Sequence, residues 1–75
     1  MNPDVAVILD SVTPFTIHGQ PNYELKYHLP GDPSRASSCR IGAEQIYANP
    51  QPGDRVRLKQ VLGIVTGVEK EEGES

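Results

Sequence analysis

The 75-residue chain carries seven Lys or Arg against ten Asp or Glu, a formal charge of -3 with both histidines neutral. That length confines it to one domain, and no run approaches the roughly 18 to 20 apolar residues of a membrane helix. An acidic total also runs against the basic default of nucleic-acid binders.

The apolar run Val5-Ala6-Val7-Ile8-Leu9 lacks a basic leader and follows Asp4, so it reads as no secretory signal. Its length and branching predict a strand buried on both faces or curling in a barrel. Pro14 makes any strand through Thr16 and Ile17 an edge or a bulged continuation. His18-Gly19-Gln20-Pro21-Asn22 is a turn signal. Tyr23, Leu25, Tyr27 and Leu29 then alternate with Glu24, Lys26 and His28, which predicts a strand with one buried and one wet face.

Pro30-Gly31-Asp32-Pro33-Ser34 reads as an exposed loop, followed by a strand over Ser37 to Ile41 with Cys39 and Ile41 inward. Ala43 to Tyr47 alone has helical character, closed by Pro50. Pro52 and Gly53 suit the two central positions of a type II turn. Arg55 to Lys59 alternates basic and apolar residues, and Val61 to Val68 is expected as the last strand, with bends or bulges at Gly63 and Gly67.

Twelve of the apolar side chains are Val or Ile, which favours a pleated sheet. Five short strands, one helical turn and Gly/Pro-rich corners predict an all-β fold, a small five-stranded antiparallel barrel that leaves few exposed edges. Residues 1–68 hold six basic and six acidic side chains, so the whole negative charge falls in 69–75. That hydrophobe-free segment is expected as a disordered acidic tail, outside a barrel domain of residues 1–68.

The stretch from Ala43-Glu44-Gln45-Ile46 through Pro52-Gly53-Asp54-Arg55-Val56-Arg57-Leu58 resembles small bacterial β-barrel domains of the OB or SH3-like kind. In those domains a helical segment leads through a Pro-Gly-Asp turn into a strand of alternating charge. The resemblance covers the C-terminal half and implies a fold, not an activity. Nucleic-acid-binding OB domains carry more aromatics and a more basic face than this chain.

Candidate chemistry is sparse. Cys39 is the lone cysteine, so no intrachain disulfide is available, and one Cys with two His falls short of a structural zinc site. A lone thiol fits a reduced, cytoplasmic setting. The inward position of Cys39 makes it a core thiol before a nucleophile. His18 and His28 lack ligand spacing and read as surface histidines, and no serine elbow or phosphate loop occurs. We therefore expect no enzyme, no metal and no cofactor.

Arg55, Arg57 and Lys59 project from one strand face at intervals of about 6.6 Å, and with Lys26 and Arg40 on neighbouring strands they form a candidate basic stripe. Tyr23, Tyr27, Tyr47 and Phe15 are the available stacking platforms, although the alternation turns Tyr23 and Tyr27 away from Lys26. The last strand is apolar on both faces, Leu62 and Ile64 against Val61 and Val65, whereas one small core absorbs a single face. The expected function is a non-catalytic protein-interaction or scaffolding module, with a protein partner or a homo-oligomer engaging Arg55, Arg57, Lys59, Leu62 and Ile64. The alternative is weak single-stranded nucleic-acid binding through the basic face.

Overall fold

The computed structural model describes residues 4–71. β1 (Val5–Ile17) is thirteen residues long and is bent by a bulge at Asp10, where the register to its neighbour shifts between Leu9 and Ser11. Before the bulge Val7 and Leu9 are buried. The extra residue moves the inner face to Val12, which stands opposite Leu25. The run Val5–Leu9 is thus not buried on both faces, since Ala6 is exposed and Ile8 only half-buried. Pro14 lies beyond the bulge, where β1 has a ladder on one side only and a missing N–H costs little.

β2 (Gln20–Leu29) and β3 (Asp32–Gly42) follow, joined by the two-residue Pro30-Gly31 turn. Both hairpin strands reach further than their periodicity indicates. The expected loop over residues 30–34 shrinks to that turn because Gly31 takes φ +80, and Pro33 is accommodated because β3 is an edge strand. Within β2, Leu25 is fully buried and Lys26 exposed, while Tyr23, Tyr27 and Leu29 pack on the core from its margin. Helical character is confined to a 3-10 turn over Ala43–Gln45; Ile46 and Tyr47 leave it, Ile46 in extended conformation.

β4 (Arg55–Val61) and β5 (Ile64–Lys70) form the second hairpin. The apolar stretch expected as one strand over Val61–Val68 is therefore broken, and Leu62-Gly63 is a turn. Five antiparallel strands make one sheet in the order β3-β2-β1-β4-β5. Its ladders do not close into a complete barrel. At one end the chain leaving β3 meets β5 through a single parallel bridge, Ile46 to Val68. The Gln45 side chain reinforces that seam: Gly42 N–H donates to its Oε1 at 3.1 Å, and its Nε2 donates to the Thr66 carbonyl at 3.0 Å.

The enclosed core is Val7, Leu9, Leu25, Ile41, Val56, Leu58 and Val68. The type II turn forms as expected, with Asp54 N–H donating to the Gln51 carbonyl. It docks on the bulged part of β1, where Gly53 N–H donates to the Leu9 carbonyl at 2.7 Å and Leu9 N–H to the Asp54 carbonyl at 2.9 Å. β5 runs on through Lys70, and Glu71 N–H donates to the Arg55 carbonyl. Residues 69–71 of the expected tail are thus held by ladder bonds and cross-strand charges, and residues 72–75 lie outside the described residues.

Candidate functional site

The β4–β5 hairpin ends in Val61-Leu62-Gly63-Ile64, with Val61 opposite Ile64. Leu62 has φ +53 and Gly63 φ +78, so both central residues take the left-handed conformation of a type I′ turn. That conformation follows from the right-handed twist of the flanking strands, and it favours Asn-Gly or Gly-Gly. A leucine there carries steric strain. Its side chain recovers nothing by packing, because Leu62 is 96% exposed. Ile64 and Val61 beside it are 67% and 59% exposed. Among the described residues the other exposed large aliphatic is Ile17, at 47%.

Behind this tip the sheet gapes. β3 approaches β5 at the Ile46 seam, and away from that seam, at the end where β4 finishes, a cleft of about 260 Å³ opens. Val5, Val7, Tyr27, Leu29 and Leu58 supply its apolar walls, with Arg35, Ser37 and Gln60 among its more polar lining. Arg35 is exposed and makes no ion pair among the described residues.

The five basic residues singled out by sequence do not form one stripe. Arg55, Arg57 and Lys59 do share the outer face of β4, but β4 is flanked by β1 and β5. Lys26 on β2 and Arg40 on β3 stand two and three strands away. Two of the three β4 cations are also paired: Arg57 lies 3.4 Å from Glu71 and Lys59 3.3 Å from Glu69. Both pairs are solvated and worth less than about 1 kcal/mol each, yet they cancel the local field.

A different constellation forms on the outer face of β1–β2–β3. The bulge at Asp10 turns Phe15 onto that face, where the Arg40 guanidinium lies 5.6 Å from its ring centroid. Glu24 is directly across from Arg40, and Lys26 is the next outward residue on β2. The sequence offered Phe15 as a stacking platform, but simple alternation through β1 does not assign its face. Asp10, displaced at the bulge, reaches His28 with Oδ1 2.7 Å from Nδ1.

Cys39 is half-buried against the core, and burial pushes its thiol up while a hydrogen bond with Tyr27 opposes that in part. A thiol held protonated in this way is a poor nucleophile. Among the described residues no three His, Cys, Asp or Glu side chains gather as a metal site. Tyr47 donates from its hydroxyl to Asp54 Oδ2 at 2.7 Å, and Gln51 N–H donates to the same oxygen at 3.0 Å. The Tyr47 bond holds the Asp54 carboxyl below the usual carboxylate range, while burial first and the carboxylate second hold Tyr47 well above its ordinary value. This pair braces the connection between β3 and β4. No helix among the described residues is long and apolar enough to cross a membrane. No family model, no curated protein and no solved structure matches the chain.

Proposed function

We propose that the chain is a non-catalytic protein-interaction or scaffolding module, built on a partly open OB-type barrel and engaging its partner with the β4–β5 hairpin tip. The OB assignment is supported by the strand order β3-β2-β1-β4-β5 together with the parallel approach of the chain after β3 to β5. The interaction reading rests on Leu62, strained in backbone and 96% exposed, between two further exposed aliphatics. A residue that costs conformational energy and contributes no packing within its own chain is explained by a contact outside it. A photo-crosslinking amino acid at position 62 is expected to give a discrete protein adduct in cells, where the same label at exposed Gln20 gives none. Equal labelling from both positions would sink the assignment.

A second reading, weak single-stranded nucleic-acid binding, draws on the Phe15–Arg40 pair, an aromatic and a cation on one open sheet face. It predicts oligonucleotide-induced shifts of the Phe15 and Arg40 resonances that vanish with added salt. Shifts absent at low salt would end it.

A further inference from the structure

The geometry points to a second copy of this chain as the partner of the hairpin tip, in a reciprocal dimer where each Leu62 enters the other copy's open cleft. This rests on the interaction reading above and names its partner. The tip and the cleft are both uncovered, and they suit each other chemically. Val61-Leu62-Gly63-Ile64 carries no charge, and the cleft's apolar lining is half-buried Val5, Tyr27 and Leu29 over the buried Val7 and Leu58. Its 260 Å³ is several times the roughly 30 Å³ that one water occupies in the liquid, room enough for an aliphatic side chain.

Placement decides the symmetry. The cleft is lined by Val5 at the start of β1, Leu29 at the end of β2 and Gln60 near the end of β4. The tip follows Val61, the last residue of β4. Knob and slot therefore share one end of the molecule, so two copies meeting end to end about a two-fold axis satisfy both contacts at once. A knob and slot at opposite ends would instead make open chains.

The core is complete without a partner, since its seven residues are buried within one chain. The knob is only three exposed aliphatics, so the interface falls in the small, transient class. The dimer is thus an equilibrium of folded monomers, not an obligate assembly.

Sedimentation equilibrium across a concentration series is the test. The wild-type mass is expected to rise from one chain toward two and stop there. Leu62→Asn, a change at an exposed turn, is expected to weaken association by about 100-fold or more, because both buried leucines are lost and each counts roughly tenfold. Ser37→Trp, which fills the cleft from an exposed lining position, is expected to do the same. Mixed together, the two variants regain a heterodimer through the one intact knob and the one intact slot. A wild-type chain that stays monomeric at millimolar concentration overturns the proposal, while a Leu62 adduct with another protein would keep the interaction reading. Undiminished dimerisation of folded Ser37→Trp shows tip-to-tip contact and also overturns it, as does growth beyond two chains.

Discussion

Replacing Leu62 by Asn should make the isolated chain more stable, although it removes a large aliphatic side chain. Leucine at φ +53 costs about 1 kcal/mol against a residue that tolerates the left-handed region. Asparagine before Gly63 is the preferred type I′ pair. Nothing offsets this gain, because a side chain that is 96% exposed has almost no burial to lose. A gain of about 0.5–1 kcal/mol raises the melting temperature of a domain this size by roughly 2–8 °C. The measurement is thermal unfolding by circular dichroism, diluted until the wild-type midpoint no longer depends on concentration, so that self-association does not enter. Leu62→Ala is the control: it removes the exposed aliphatic side chain but keeps a Cβ residue at positive φ, and should leave the midpoint nearly unchanged. A Leu62→Asn midpoint at or below wild type in that dilute limit would refute the strain argument, and with it the main reason for regarding the tip as built for a contact.

Tyr47→Phe should cost about 1–2 kcal/mol by removing a hydrogen bond to a charged acceptor, read from denaturant midpoints. The bond also sets a pH window. Asp54 is lowered on folding, so its stabilisation is full above the ordinary carboxylate value of about 3.9 and lost as pH falls through the folded value. Tyr47 is raised, so its share is full below about pH 10 and lost as pH climbs toward the folded value. Unfolding midpoints against pH should therefore flatten at both extremes in Tyr47→Phe. Glu69→Gln with Glu71→Gln unpairs Lys59 and Arg57, and should change thermal stability by less than about 1 kcal/mol per pair. If β4 binds single strands, the same variant steepens the salt slope by about 0.7 per freed cation; an unchanged slope excludes β4 from such binding. Leu25→Ala opens a void at a fully buried position and should cost about 2–5 kcal/mol, enough to broaden or abolish the unfolding transition. Cys39 should react slowly with a thiol reagent at pH 8 and rapidly in denaturant, since burial holds it protonated.

The all-β class and the inward faces of β2 and β3 were legible because period-two alternation survives wherever a strand is regular. Leu25 and Ile41 are buried, and Lys26 and Arg40 face out, as the alternation requires. Phase fails at irregularities. The bulge at Asp10 carries Phe15 to the outer face beside Arg40, and no residue pattern marks that bulge. Val61 to Val68 reads as one apolar strand because Leu62 occupies a turn position where composition argues against a turn. The excess of aliphatics there did signal exposure, and the hairpin is what converts it into a protruding tip. Which cations share a neighbourhood depends on strand order, a non-local property: along the sheet β1 separates the strand of Lys26 from β4, and β1 and β2 together separate that of Arg40 from it. Hydrophobicity likewise misplaces the start of the acidic segment, because Glu69 and Lys70 are held in the β5 ladder and Glu71 N–H donates to the Arg55 carbonyl.

The docking of the Gly53-Asp54 turn on Leu9 bears on how the chain assembles. β1, β2 and β3 pair in sequence, as do β4 and β5, so each group forms from contacts close in the chain. Apart from the single Ile46–Val68 bridge, it is Val5–Ile8 with Arg55–Leu58, extended by the two Leu9 bonds, that knits one group to the other through backbone pairing. That junction closes a loop of more than forty residues and is the entropically expensive step. The molecule is a meander and a hairpin that recognise each other, which makes the stretch between Ile46 and Asp54 the place where the backbone can be cut and two fragments still reassemble into one sheet.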